Sequence, residues 1–205
     1  MARFAFQNPP ANQIQTLNVK NVVQTISAVV GSSYNVGALT VNQSFTIMGI
    51  MRADGQGTPA PGQAHALSDA PSNTHISVGL GGGGSNNNLR LICRSNNGQL
   101  VNINGGLFVG QGWKIVCWQF DWSTKTGKLI IDGVINTGTN ALMDQWIFSP
   151  TYAYYLACNY AIAPYYNWVG YIGEFVEYTG IKSNADINQL GNYFANKYAL
   201  IWTNI

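Results

Sequence analysis

Three fragments in the second half of the chain decide its fold: residues 111–121 (QGWKIVCWQFD), residues 127–134 (GKLIIDGV) and residues 172–178 (IGEFVEY). The first fragment is an alternating apolar run, which is typical of a β-strand. The second contains Asp132-Gly133, a pair that favours a tight turn between two strands. A polar turn and a helical pattern, residues 184–200, follow the third. Together they predict a β-meander, then a core strand, then one short amphipathic helix.

Other apolar runs predict strands upstream of these fragments. Residues 45–51 (FTIMGIM) are apolar at nearly every position, as in a strand that is buried on both faces. Shorter strands are predicted at residues 76–80, 89–94 and 99–103. Between the last two, Asn97-Gly98 predicts a two-residue hairpin, because both residue types accept positive φ.

The closing helix carries its own start signal. Ser183 and Asp186 form a variant of the capping box, with Asp where Glu or Gln is usual. Spacings of three or four residues then place five side chains on one face, which is predicted to cover the sandwich: Ile187, Leu190, Phe194, Lys197 and Ile201.

The order of these segments resembles the concanavalin A-like jelly rolls of the laminin-G-like type. That family shares a Trp-led strand, a strand ending in Asp-Gly, and a strand plus helix ending near Leu-Ala-x-Lys-Tyr-Gly-Leu; residues 190–200 here read LGNYFANKYAL. The resemblance covers about residues 45–202. It implies an all-β fold, a concanavalin A-like jelly-roll β-sandwich with one short C-terminal helix.

The front of the chain departs from that family. Its usual Gly-Lys-x-Ala-x-x-Phe-Asp-Gly strand is not recognisable in residues 1–43, and Pro9-Pro10 interrupts a segment rich in Asn and Gln. We therefore divide the chain into an N-terminal arm for assembly or partner docking, residues 1–25, and a laminin-G-like jelly-roll domain, residues 26–205.

Composition restricts the classes of partner. The chain has 205 residues, and only 9% of them are charged, with a net charge of +2, so no electrostatic footprint for nucleic acid is present. No segment has the pattern of a secretory signal peptide or of a membrane-inserting helix. Cys93, Cys117 and Cys158 are predicted to be buried free thiols, as expected for synthesis in a reducing host cytoplasm.

One aromatic segment is a candidate binding surface. Tyr160, Tyr165, Tyr166 and Trp168 lie in a stretch that contains a proline and is predicted to be a loop between strands. Such side chains stack on sugar rings or anchor another subunit. The alternative is that they pack over the end of the sandwich.

Catalytic and metal sites are not predicted. Laminarinase-type glycoside hydrolases share the jelly-roll scaffold and need two carboxyl groups close together. The two glutamates here, Glu174 and Glu177, are three residues apart, so a regular strand sends them to opposite faces unless a bulge intervenes. Some laminin-G-like domains bind calcium through loop carboxylates and carbonyls. Calcium is unsupported here because the chain has no dense acidic loop, and no cofactor is expected.

The resemblance and the composition lead to one functional hypothesis. Short domains of this pattern look like bacteriophage virion proteins, so we expect a non-enzymatic capsid decoration or a tail or fibre component, located in the virion and forming a homo-oligomer. Its expected partners are capsid or tail subunits, which Phe4 and Phe6 would anchor, and a cell-surface glycan. The alternatives are a free-standing carbohydrate-binding lectin and a laminarinase-type glycoside hydrolase.

Overall fold

The computed structural model describes residues 2–4, 14–17, 20–25, 34–37, 44–55, 64–68, 76–80, 87–144, 154–156 and 168–205, and it describes side chains in 44–55, 79–80, 87–144 and 168–205. The described residues form fourteen strands: β1 Ala2–Phe4, β2 Ile14–Leu17, β3 Lys20–Thr25, β4 Tyr34–Gly37, β5 Phe45–Gly55, β6 Ala64–Ser68, β7 Ile76–Leu80, β8 Asn88–Arg94, β9 Leu100–Leu107, β10 Lys114–Asp121, β11 Thr126–Ile131, β12 Val134–Thr139, β13 Tyr154–Leu156 and β14 Val169–Thr179. A helix, α1, spans Asn184–Tyr198.

The strands form two antiparallel sheets. The larger sheet has the order β12-β11-β10-β5-β14-β3-β2, with β1 also paired to β14, and the smaller has the order β4-β13-β6-β7-β8-β9. Strands that are distant in sequence are therefore neighbours in space, with β5 lying between β10 and β14. The architecture is an all-β jelly-roll sandwich that is followed by the helix, which confirms the predicted fold class. In the described part of the chain no helix is long and apolar enough to cross a membrane.

The main core lies between the two sheets. Phe45, Ile47 and Met51 of β5 belong to one buried cluster with Leu89 and Leu91 of β8, although these strands lie in different sheets. Because side chains alternate along a strand, every second residue of β5 and β8 faces this core. The buried run of β5 fits the prediction from residues 45–51, since its other face is covered as well.

A second core lies on the outer face of the larger sheet, under α1. Ile187, Gly191, Phe194 and Tyr198 are the buried positions of the helix. The predicted stripe is thus wrong in part: Ile201 is 78% exposed and lies beyond the helix. The capping box is confirmed, because the Ser183 side chain accepts a hydrogen bond from the Asp186 amide and the Asp186 carboxylate accepts one from the Ser183 amide.

Two turns decide how the meander reverses. Asp132 and Gly133 have φ angles of 51° and 92°, as a tight hairpin turn between β11 and β12 requires. Between β8 and β9 only Gly98 has positive φ, and its amide donates to the Ser95 carbonyl. The predicted two-residue hairpin at Asn97-Gly98 is therefore wrong; the connection is longer, and Gly98 occupies its left-handed position.

The N-terminal residues join the larger sheet through backbone pairing. β1 pairs with β14, with Phe4 opposite Phe175, and β3 pairs with another part of the same β14 edge while β2 extends the sheet beyond β3. Phe6 lies outside the described residues. The division into an arm and a domain, and a docking role for Phe4 and Phe6, stay predictions.

Cys93 and Cys117 are buried, as predicted, and Cys117 is a free thiol, while Cys158 lies outside the described residues. Burial raises the pKa of the Cys117 thiol far above its ordinary value, so this side chain behaves as an apolar group.

Candidate functional site

Of the four residues of the predicted aromatic site, the structure describes one, Trp168. Trp168 is 0% exposed, its indole nitrogen donates to the Arg52 carbonyl at 3.0 Å, and its ring packs edge-on against Phe108. It therefore offers no stacking face to a sugar and belongs to the core, in line with the alternative stated above. Tyr160, Tyr165 and Tyr166 lie outside the described residues, and a ligand site there stays a prediction.

Glu174 is bound into a cluster that holds the helix on β14. Its carboxylate accepts hydrogen bonds from Lys197 Nζ, from Tyr193 Oη and from Tyr198 Oη. Burial alone would lower the pKa of Lys197, but its hydrogen bonds to Glu174 and Tyr193 raise that pKa above the ordinary value. Burial and the nearby Glu174 charge raise the pKa of Tyr198 to about 12. Glu174 thus has a structural hydrogen-bonding role, since it joins the helix to β14.

Glu177 lies on the other face of the sheet. It is directly opposite Ile47 in register, and paired residues in an antiparallel sheet share a face, so Glu177 is on the inner side with Ile47. The pairing of β14 with β5 shifts between Ile172 and Phe175, a stretch that contains Glu174, but Glu174 still binds Lys197 of the helix on the outer face while Glu177 is on the inner face. They cannot form the close carboxyl pair that retaining glycosidases use.

A cleft of about 280 Å³ runs beside the helix. Its wall combines both signs of charge with apolar and aromatic groups: Glu174, Val176, Tyr178, Lys182, Asp186, Gln189, Leu190 and Tyr193. Its charges are engaged internally, because Asp186 caps the helix and Lys182 lies 4.6 Å from the centre of the Tyr178 ring. Val176, which lines the cleft, is paired in register with Arg3 of β1.

A different polar surface lies on the outer face of the smaller sheet. In β8, Leu89 and Leu91 face the core, so the alternate residues face outward. Register places Asn104 beside Arg90 and Asn102 beside Ile92. We name these outward-facing side chains the arginine row: Asn88, Arg90, Ile92 and Arg94 of β8 with Asn102 and Asn104 of β9.

The asparagines at one end of the arginine row are partly fixed. Asn88 Nδ2 donates to Asn104 Oδ1 at 3.1 Å, and the Gly106 amide donates to the same oxygen at 3.0 Å. With its carbonyl oxygen engaged, the Asn104 amide has its NH₂ group directed elsewhere. Asn102 and Asn104 are exposed, so their free polar atoms are accessible to a ligand.

The two arginines lack the partners that buried cations usually have. Arg90 is only 9% exposed, and the Nε atoms of Arg90 and Arg94 are buried with no hydrogen-bond partner in the described part of the protein. Seven of the chain's eight acidic residues lie in that part, and none of the ion pairs there includes Arg90 or Arg94.

Sequence reasoning did not single out these two arginines. The signal was present in residues 88–94 (NLRLICR), where two arginines four apart alternate with apolar residues. Alternation puts them on one face of a strand, but the sequence does not tell whether a second layer with counter-charges covers that face. Among the residues that the structure describes, no ion pair includes Arg90 or Arg94.

Similarity to known proteins lies at the level of fold. No protein-family model and no curated protein sequence matches the chain. Solved structures do. The binding domain of Paraclostridial Mosquitocidal Protein 1 has a TM-score of 0.69 and 13% identity over 92% of this chain, which spans about half, 48%, of that protein.

Two further structures match at similar identity. The heptameric SAP-like pentraxin from Limulus polyphemus has a TM-score of 0.58 and 12% identity over 78% of this chain and 74% of that one. The CBM40 of the Ruminococcus gnavus IT-sialidase, bound to α2,3-sialyllactose, has a TM-score of 0.56 and 13% identity over 83% of this chain and 97% of that one. At these identities the comparisons establish the sandwich fold alone.

Proposed function

We propose that this protein is a non-enzymatic glycan-binding module. The observation that carries the proposal is the arginine row, an outward-facing strip in which Asn102 and Asn104 lie exposed beside two arginines. Amide and guanidinium groups are donors of the kind that hold sugar hydroxyl and acid groups in protein sites. The fold likeness to a carbohydrate-binding module that was solved with sialyllactose supports the same reading.

The placement of the glutamates supports a binding role over hydrolysis. Glu174 is bound by three donors from the helix, and Glu177 lies on the opposite face of β14. In the described residues no group of three or more histidine, cysteine or acidic side chains is placed to hold a metal ion. Reducing-sugar release from β-glucans, alginate, agar and host polysaccharide is therefore expected to stay at background.

A glycan array tests the binding function directly. The full chain is applied at physiological salt to neutral and acidic glycans, and each hit is titrated by calorimetry with the free oligosaccharide. We expect saturable binding to at least one glycan. Retention of no glycan, at protein concentrations up to the millimolar range of weak lectins, would reject the function.

The biological setting that we propose is a bacteriophage virion, in which the module is a capsid decoration or a tail or fibre component. The low charged fraction of 9% supports it, since few charges must lose water when subunits pack permanently. The helix-side cleft and the neighbouring β1 offer a docking region for capsid or tail subunits or for further copies of the chain. A lectin that works free of particles is the alternative, and incorporation into particles distinguishes the two.

A further inference from the structure

One member of the arginine row, Arg90, lies in an unusual environment for a charged side chain. Arg90 is nine-tenths buried, and its Nε has no hydrogen-bond partner among the residues that the structure describes, although a guanidinium group is always charged at physiological pH. A buried cation without a counter-ion is costly to the folded state. Such an arrangement is seldom kept without a reason, and an anion that binds beside the cation supplies the missing partner.

The geometry of the guanidinium at Arg90 Nε indicates which class of anion fits it best. Nε–H and a neighbouring Nη–H point in parallel, and this edge of the guanidinium matches the two oxygens of a carboxylate. A planar acid can thus take both hydrogen bonds at once. Arg94 lies four residues further along the same face, roughly 13 Å away on a regular strand, and its Nε also lacks a partner within the described ranges of the chain.

The surroundings of Arg90 suit a sugar acid. Asn104 lies directly opposite it on β9, with its amide oxygen engaged and its NH₂ group left to donate. On the β7 side, register places Gly79 opposite Arg90, so no side chain separates the arginine from that neighbouring strand. Arg90 and Asn104 thus both offer donors at the position that an acid would occupy, and no ion pair among the described residues includes Arg90.

We infer that the arginine row selects acidic glycans, with Arg90 binding the carboxylate of a sugar acid of the sialic acid or uronic acid class. Asn102 and Asn104 contact its hydroxyl groups, and Arg94 binds a second acidic residue or the continuing chain. This inference rests on the proposed glycan-binding function and adds the class of ligand and the residue that recognises it.

The test compares acidic and neutral ligands on matched variants of the full chain. Calorimetric titrations use α2,3-sialyllactose and a galacturonic acid oligosaccharide against lactose, with a sulfated oligosaccharide as a second anion. Arg90→Gln and Arg94→Gln each remove one positive charge from the row. Lys128→Gln removes one charge from the other sheet, where register pairs Lys128 with Gln119, and serves as the control.

We expect Arg90→Gln to weaken binding of the carboxylated sugar about tenfold or more, since charge-assisted hydrogen bonds are lost. Arg94→Gln should weaken it less, and Lys128→Gln should change it less than about twofold. Arg90→Lys keeps the charge but loses the parallel donors, so it should not restore wild-type affinity. Thermal unfolding verifies that each variant folds; if Arg90→Gln does not, Arg94→Gln carries the comparison.

Each other outcome counts against the inference in a distinct way. Acidic-glycan binding that is unchanged in both arginine variants would overturn it. A wild-type preference for the sulfated sugar would overturn the assignment to a carboxylate, and equal binding of lactose would overturn acid selectivity while leaving the glycan-binding function standing. Binding to none of these sugars or to the array would reject the function and the inference together.

Discussion

Gly49 is the residue on which the bulge of β14 depends. The Phe175 ring covers it so closely that a Cβ at Gly49 would lie 1.9 Å from Phe175 Cδ1 and 2.6 Å from the Glu174 carbonyl oxygen. The absent side chain therefore lets β14 shift its register against β5 between Ile172 and Phe175. Glu174 lies within this shifted stretch, on the helix side of the sheet, where it binds Lys197.

Replacement of Gly49 tests this dependence. Because the added methyl group meets both an aromatic ring and backbone, we expect Gly49→Ala to lower the free energy of unfolding by about 1–3 kcal/mol, as overpacking does. Gly55→Ala, on the same strand, is the control, since its Cβ would have an ordinary contact of 3.5 Å with Val169 Cγ1. Urea unfolding measures both. Equal losses in the two variants would show that crowding at Phe175 is not the cause.

Glu177 gives the protein a specific dependence on pH. Burial of the inner-facing carboxyl raises its pKa above the ordinary 4.5. The folded state thus holds this proton more tightly than the unfolded state, so the group costs stability as pH rises through 4.5 and above. We expect Glu177→Gln to unfold at a higher temperature than wild type at pH 7, with the difference closing below the ordinary pKa. A difference that is independent of pH would contradict this account.

At the scale of elements, the helix is held on two sides. Glu174 of β14 binds it from the sheet, and the C-terminal segment packs against the part of the helix that carries Asn188 and Gly191. There the Trp202 ring lies on Gly191, and Asn188 Oδ1 accepts hydrogen bonds from Trp202 Nε1 and from the Ile205 amide. The segment also reaches the turn between β11 and β12 through the Thr203 amide, which donates to the Asp132 carbonyl at 3.2 Å.

A pair of substitutions tests the contact between the helix and the C-terminal segment. Alanine is favoured over glycine in a helix by about 1 kcal/mol, but a Cβ at Gly191 would lie 2.2 Å from Trp202 Cε2. We therefore expect Gly191→Ala to destabilise wild type, and to stabilise a Trp202→Ala background by up to that amount. Chemical unfolding of the four proteins completes the cycle. If Gly191→Ala changed the free energy of unfolding in the same direction in both backgrounds, the contact with Trp202 would be disproved.

The elements that were predicted well are those specified by neighbouring residues. The capping box at Ser183, the turn at Asp132-Gly133 and the buried strand beginning at Phe45 each depend on a few adjacent side chains. The features that were predicted wrongly depend on residues that are distant in the sequence. Gly191 is buried on the helix because Trp202 packs on it, and Trp168, offered as a stacking surface, is buried against Phe108. Arg90 became a candidate only once its Nε was seen to have no partner in the part of the chain that the structure describes.

At the scale of the molecule, the two outer faces differ in character. The helix covers the larger sheet with apolar side chains. The described ion pair between Lys197 and Glu174 on that side joins the helix to the sheet. Opposite it, the arginine row of the smaller sheet carries cations whose Nε atoms have no described partner. The fold thus separates a side that suits permanent packing from a side that suits recognition of a ligand.

Deletion of residues 1–10 tests what the N-terminus contributes. It removes β1, which pairs with three residues of β14, while β5 continues to pair along the other edge of β14. We expect the truncated chain to fold with a slightly lower melting temperature and to lose incorporation into particles or its oligomeric state. Sedimentation and a particle-assembly assay measure these. Loss of the folded state would make β1 essential to the sheet, and normal assembly would place attachment elsewhere.

The opposed faces have a consequence for avidity. In the proposed virion, copies attached through the helix side all turn their arginine rows outward, toward the cell surface. An array of this kind needs no tight single site, because linked sites gain about 10²–10⁴-fold over one site when several engage together. Each contact can then form and break rapidly while other contacts keep the particle bound. The particle can therefore move along the cell-surface glycans without dissociating.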